Sequence, residues 1–383
     1  MKRYFLTPQT TLKWLETPSA YHLVRDELYE LDQESFRFLS ACTSDEGCAS
    51  AHSAFIDYCL EEGLLTAAPV RTNRPRVSPS PGPSLRYLEL QITDRCNLRC
   101  KHCYLGDGSA RELPAPQVRS TLRQFEELQG LRVLITGGEP VLHSRFDEIN
   151  EMLPEFALRK VLVSNGMQLS QDLLNKLKVH EIQVSIDGLQ PAHDAIRGAG
   201  AWDVVFDALR RAMDAGFEVS VATMITSRNL GDFDALDDLF RSLGVKEWTV
   251  DVPCSAGRMT ENRQIAVSPE SAGKYLGYGY GGGMHSVGKG YACGLHLMAV
   301  LPDGNAAKCT FYGDRPVGSI ESGLKACWER MRPIRLENLD CDCGYRDACR
   351  GGCRYRAELD GTPTGRDPYR CALYGVIDKP EEG

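Results

Sequence analysis

The 15 cysteines in a chain of 383 residues are the first feature with chemical content. Cys96, Cys100 and Cys103 share one short stretch with C-x3-C-x2-C spacing. Cys293, Cys309, Cys341, Cys343, Cys349, Cys353 and Cys371 crowd the C-terminal quarter, while Cys42, Cys48, Cys59, Cys254 and Cys327 are scattered. Thiolates are soft ligands for zinc and iron–sulfur clusters. Four cysteines are the usual complement of a cubane. Three leave one iron open to an outside ligand, the logic of an open catalytic metal site. Zinc is the alternative for the first group. It would need a fourth ligand, and His102, wedged between Cys100 and Cys103, is badly placed to be one.

The composition is that of a folded, soluble chain: 42% apolar residues and a formal net charge of −8. No run approaches ~18 apolar residues, which argues against a membrane span. The N-terminal residues MKRYFLTPQTTLKW lack the apolar core of a secretory signal, so the expected location is the cytoplasm. Disulfides are rare there, and clustered cysteines read as metal ligands. No basic run offers a footprint for a phosphate backbone, which excludes nucleic acid as an expected partner.

Residues 71–84, with Pro75, Pro79, Pro81 and Pro83, read as a semi-rigid linker between two independent cores. Ahead of it, Ala20–Val24 and Glu27–Leu31 read as a hairpin about Arg25-Asp26. Asp32 then caps a helix carrying Phe36 and Leu39, and a second helix with Phe55, Tyr58 and Cys59 ends at Gly63. Strands with helices in residues 1–70 suggest a winged-helix-like unit; a packing appendage is the alternative. Beyond the linker, strand-like runs at Arg86–Ile92, Leu131–Thr136, Leu158–Val163, Glu181–Ile186, Phe217–Met224 and Lys246–Val252 alternate with helical stretches. Those at 201–215 and 229–243 show clear apolar stripes closed by Gly216 and Gly244. Such alternation predicts an α/β fold over residues 85–275, a partial, open (β/α)6 barrel of the TIM type, with chemistry at the C-terminal strand ends. Cys96, Gly137–Pro140, Asn165 and Asp187 fall at those ends. The glycine-rich residues 277–290 read as a flexible loop. Residues 276–383 are poor in regular elements and rich in cysteine, as expected of a segment folded around metal.

The C-x3-C-x2-C motif after the first strand of such a series resembles that of the radical S-adenosylmethionine (SAM) enzymes. The resemblance implies a [4Fe–4S] cluster on Cys96, Cys100 and Cys103. Its open iron would chelate the amine and carboxylate of SAM, and electron transfer would generate a 5′-deoxyadenosyl radical. Gly137-Gly138-Glu139-Pro140 looks like the family's GGEP motif, in which backbone approaches the ligand and a carboxylate offers acceptors to an ammonium. Ser164, Asn165, Ser185 and Asp187 match positions that place polar groups near the SAM ribose and carboxylate. Arg197 resembles the arginine that pairs with the methionine carboxylate, and His102 the residue that contacts adenine.

The C-terminal cysteines resemble the SPASM extension, which carries two auxiliary [4Fe–4S] clusters and brings the expected total to three. The resemblance implies an outer cluster on Cys341, Cys343, Cys349 and Cys371 and an inner one on Cys293, Cys309 and Cys353. The chain departs from the pattern where one residue, not two, separates Cys341 from Cys343. The inner set lacks a fourth ligand. Cys254 and Cys327 are candidates, each read first as a packed thiol, and an open iron is the other possibility. Residues 1–70 resemble the leader-recognition module of peptide-modifying relatives, which adds a precursor's leader as a strand. The resemblance therefore implies a peptide maturase making an oxidative thioether or C–C crosslink, reduced by an external flavodoxin or ferredoxin. Tetrapyrrole side-chain modification, protein side-chain oxidation and a non-catalytic iron–sulfur peptide scaffold are the competing readings.

Overall fold

Strands precede helices in the N-terminal unit. β1 (Phe5–Leu6), β2 (Thr10–Trp14), β3 (Pro18–His22) and β4 (Glu27–Glu30) lead into α1 (Gln33–Ala41), α2 (Ser53–Glu61) and β5 (Leu65–Thr66). The structure, a computed structural model, describes residues 2–49, 52–70, 74–281, 283 and 290–376. β2, β3 and β4 form an antiparallel meander, and β1 pairs with β5. The β3–β4 hairpin turns about Arg25 and Asp26, with Asp26 in the left-handed region at φ 58°. The Asp32 carboxylate accepts from the Ser35 N–H at 2.7 Å and caps α1. Cys42 and Cys59 fill the small core with Leu6, Leu39 and Leu64, and burial pushes their thiols up to about 12 and about 11.

β6 (Tyr87–Thr93), β7 (Arg132–Gly137), β8 (Arg159–Ser164), β9 (Glu181–Ser185), β10 (Glu218–Met224) and β11 (Glu247–Asp251) then run parallel in chain order. Parallel strands covered by helices are buried on both faces, which is why they read as near-continuous apolar runs. The covering helices are α3 (Ala115–Glu127), α4 (Phe146–Met152), α5 (Gln171–Leu174), α6 (Gln190–Arg197), α7 (Ala201–Asp214) and α8 (Phe233–Leu243). The stripes Val205, Leu209 and Ala212 on α7 and Phe233, Leu236 and Phe240 on α8 are buried against the sheet. This is the partial barrel expected from the alternation.

The sheet ends at β11 on one side but does not stop at β6 on the other. β12 (Leu297–Val300) pairs parallel with β6, and β13 (Asn305–Ala307) and β14 (Gly318–Ser319) continue antiparallel to give nine strands. The C-terminal segment thus begins as an extension of the barrel sheet and becomes irregular only where the cysteines crowd. Half of the glycine-rich stretch 277–290 lies outside the described residues. Among the described residues no helix is long and apolar enough to cross a membrane.

The N-terminal unit docks on the N-terminal ends of the barrel strands, and the linker does not separate independent cores. Leu15, Tyr21 and Leu23 share a cluster with Leu131. Asp26 enters the lower mouth of the barrel and pairs with Arg132 and Arg159. Arg159 has no exposed side-chain surface and also pairs with Glu181 at 2.6 Å and with Glu218. From Arg74 onward the linker is tied down. Arg74 donates to the carbonyls of Leu6, Thr7 and Thr10, and Ser80 N–H donates to Trp14 O at 2.8 Å. Ser84 N–H donates to a Glu16 carboxylate oxygen at 2.8 Å. Proline content correctly marks a stiff segment; contacts across more than sixty residues, which no local pattern reports, determine that it is pinned.

Candidate active site at the upper ends of the strands

A cavity of about 610 Å³ opens at the C-terminal strand ends, and Cys96, Cys100 and Cys103 line it together. The thiols hang on the loop after β6, which the following loops press into place. Gly138 N–H donates to Thr93 O at 2.8 Å and Glu139 N–H to Arg95 O at 2.7 Å. A Cβ at Gly137 would lie 2.3 Å from Thr93 O, and one at Gly138 2.4 Å from Arg95 O. The two glycines are therefore required by the close approach of the β7 end to the cysteine loop. Both also line the cavity.

Glu139 does not line it. Its fully buried carboxylate accepts from Ser164 Oγ at 2.9 Å and Asn165 N–H at 2.7 Å, so it fixes the end of β8. Burial pushes this carboxyl up to about 7, against those hydrogen bonds. Pro140 is buried behind it and starts a single 3-10 turn. Ser164, Asn165 and Ser185 do face the cavity, and Asn165 Nδ2 reaches Asn97 Oδ1 at 2.8 Å.

Asp187 is a buried hub just under the cavity floor. One oxygen of its carboxylate meets His102 Nε2 at 2.6 Å and accepts from Arg197 Nε at 2.6 Å. The other accepts from Met224 N–H at 2.7 Å. Burial alone would raise its pKa, but Arg197 and His102 outweigh it and hold the carboxyl well below the usual carboxylate range. Asp187 thereby aims two cavity-lining groups, His102 and Arg197, without lining the cavity itself.

Two further residues matter and were not singled out from sequence. Arg258, on the loop after β11, donates from Nε to Cys100 O at 3.0 Å, and its own N–H donates to Cys103 O at 2.9 Å, clamping the cysteine loop from the far side. A lone arginine in a loop carries no sequence signal. Glu89 did carry one, as the single charge inside the apolar β6. It lines the cavity, accepts from Thr310 N–H at 2.8 Å and has its pKa raised by burial.

The donor set fits a thiolate-bound cluster. Cys96 Sγ accepts from Leu98 N–H at 3.4 Å and from Asn165 Nδ2 at 3.7 Å, and Cys100 Sγ from Arg197 Nη1 at 3.8 Å. N–H groups aimed at sulfur favour the thiolate and are levers on cluster potential. Among the described residues no three His, Cys, Asp or Glu side chains converge on a point where one ion could sit. The thiolates of a cubane bind separate irons, so they have no need to converge.

The model of the radical SAM superfamily matches residues 90–240, the stretch that holds these loops. The chain carries a radical SAM domain. The mycofactocin maturase MftC of Mycolicibacterium smegmatis is 26% identical over 321 residues, covering 73% of this chain and 81% of that protein. An AdoMet-dependent heme synthase of Oleidesulfovibrio alaskensis is 26% identical over 349 residues, covering 77% and 89%. Among solved structures, Streptococcus suis SuiB bound to the precursor peptide SuiA superposes with a TM-score of 0.70 at 16% identity, over 96% of this chain and 99% of that one. Native anSMEcpe with bound AdoMet gives 0.62 at 18% identity, over 76% of this chain and 95% of that one. The radical SAM domain implies SAM and one [4Fe–4S] cluster as cofactors, and Cys96, Cys100 and Cys103 stand together on one loop at the cavity wall.

C-terminal to the radical SAM domain, all the cysteines but Cys327 fall into two groups in space. Cys341, Cys349 and Cys371 each lie close enough to Cys343 for their charges to interact. Cys293 and Cys309 lie similarly close to Cys353. Cys254 joins this second group. It and Cys353 pack in one cluster, and the neighbouring Cys254 thiol, with Arg356 nearby, holds the Cys353 thiol below its ordinary value despite burial. Cys327 joins neither. It is fully buried in the helix Leu324–Arg330 and its sulfur contacts Ser319 O at 3.3 Å.

Proposed function

We propose that the protein is a radical SAM peptide maturase, an oxidoreductase that crosslinks residues of a ribosomally made precursor. Thioether or C–C bond formation removes two hydrogens from the peptide. When bound, the cluster and SAM supply a 5′-deoxyadenosyl radical that takes one hydrogen atom; the remaining proton and electron leave separately. The chain's residues do the positioning. Arg197 offers a buried guanidinium to the SAM carboxylate, His102 a ring edge to its adenine, and the Gly137-Gly138 backbone a close wall for its amine. The two C-terminal thiol groups would hold auxiliary clusters able to accept the departing electron, and an external flavodoxin or ferredoxin would supply the priming electron.

The observation that favours a peptide is the N-terminal meander. Among the described residues, β4 pairs on one side alone, with β3. Beside it Tyr58 of α2 stands 46% exposed, edge-to-face with Tyr29 of β4 at 6.4 Å between ring centroids. A free strand edge next to an exposed aromatic suits an extended leader that adds backbone hydrogen bonds and one apolar anchor. The resemblance to heme synthases supports a tetrapyrrole as the second reading. Anaerobic incubation with SAM, reductant and a candidate precursor tests the choice. A maturase yields 5′-deoxyadenosine together with a peptide lighter by two hydrogens, and loses both when Cys96, Cys100 and Cys103 are changed to Ala. Iron-coproporphyrin decarboxylation without peptide turnover would overturn the reading.

A further inference from the structure

Cys254 sits on the loop directly after β11, 2% exposed, and no local pattern connects it with the C-terminal cysteines about 40 to 100 residues later. The fold nonetheless brings it to them. It packs in one cluster with Ala307, Tyr312 and Tyr355, against which Cys309 and Cys353 also pack. Its thiol lies close enough to Cys353 for the two to interact, as do those of Cys293 and Cys309. Four thiols thus gather about one place, three from the C-terminal segment and one from the barrel. The site is held from both sides. Cys353 N–H donates to Asp367 at 2.7 Å, and Arg356 bridges Asp367 at 2.9 Å to Asp251, the last residue of β11, at 2.7 Å. Cys254 also lines the central cavity with Cys96, Cys100 and Cys103.

We infer that Cys254 is the fourth protein ligand of the inner auxiliary cluster, so that this cluster is bound by Cys254, Cys293, Cys309 and Cys353 and has no iron open to substrate. The inference rests on the auxiliary-cluster reading proposed above. It has two consequences. The inner cluster is a staple between the last barrel strand and the C-terminal segment. It also cannot capture a thiol of the peptide, so substrate sulfur is positioned by the cavity and not by iron. Cys327, equally buried and equally unassigned from sequence, is the internal contrast, because its sulfur contacts Ser319 O and Ser322 Oγ.

The test is iron and sulfide counting with Mössbauer and paramagnetic-resonance spectra on anaerobically reconstituted full-length protein. The parent is compared with Cys254→Ala, Cys254→Ser, Cys353→Ala and Cys327→Ala. The parent is expected to hold about three clusters, or about twelve irons. Cys254→Ala and Cys353→Ala are each expected to lose up to about four irons or to show one altered cluster, while Cys327→Ala keeps the parent spectra. Cys254→Ser retains the packing of the side chain, so an altered spectrum in a normally folded Ser variant separates ligation from folding. Adding a small thiol is expected to leave the parent spectra unchanged and to perturb those of Cys254→Ala. A parent with a single cluster would overturn the auxiliary-cluster reading itself. A parent with three clusters and a Cys254→Ala variant with the same iron and the same spectra would overturn the Cys254 assignment alone.

Discussion

At the lower mouth of the barrel Asp26 meets Arg132 and Arg159; at the upper mouth Asp187 meets Arg197 and His102, and both acids are largely buried. The two clusters use the same chemistry to different ends. Below, Arg159 is spent within the protein, on Asp26, Glu181, Glu218 and the carbonyls of Leu23 and Val24. Above, Arg197 keeps part of its fork on the cavity wall, within reach of Cys100 Sγ. A buried ion pair contributes little net stability when complete and is costly when halved. Below, that property makes a lock between two units. Above, it holds two polar groups facing a space that a ligand can enter.

The largest effect expected from this contrast comes from removing residues 2–70. Truncation strips Asp26 from two arginines and uncovers Leu131, so the barrel is expected to lose soluble yield and to unfold at lower denaturant than the full chain. A truncated chain as stable as the parent would show the lower cluster to be idle. Next, Asp187→Asn is expected to weaken SAM binding by about 10- to 100-fold, the usual cost of disturbing groups that orient a cofactor's contacts. Equilibrium dialysis on reconstituted protein measures it. Asp26→Asn is the matched change at the other end. It is expected to cost about 3 kcal/mol of stability by chemical denaturation, with SAM affinity unchanged; a loss of affinity there would mean that the two mouths are coupled.

The smallest effect is a pH dependence of docking. Burial pushes Lys13 and Lys160, which both lie near Glu126 at the junction, down to about 8. A lysine depressed in the folded state binds its proton less well there than when unfolded. The docked form therefore gains stability as pH rises from about 8 toward the ordinary lysine value, by at most about 1.4 kcal/mol per pH unit for each group. Lys13→Met should flatten this slope in pH-dependent denaturation, and an unchanged slope would place the titration elsewhere.

These comparisons also show what the sequence could convey. The six barrel strands were legible because each carries β-branched, aromatic or aliphatic residues in a short run between helical stretches, and α7 and α8 because their stripes keep the helical period. The cysteine loop and the glycines beside it were legible because close approach restricts residue type locally. β2 was not, because Thr10, Thr11 and Lys13 are polar yet buried, and no alternation marks them. The pairing of Asp26 with Arg159 and of Cys254 with Cys353 spans more than ninety residues in each case, and only the fold brings such partners together. Cys254 reads as an ordinary buried thiol until its neighbour is known.

The placement of the N-terminal unit below the barrel has a consequence for reach. A leader held along β4 lies on the side of the sheet where strands begin, while the three-cysteine loop stands where they end. β6 alone contributes seven residues, or roughly 23 Å at about 3.3 Å per residue. A precursor anchored at one mouth must traverse at least that distance to present a residue at the other, which takes about seven extended residues. On the proposed mode of leader binding the scaffold would act as a ruler: positions nearer the leader than this would be out of range whatever their side chains, and the first site open to modification would be set by the height of the barrel.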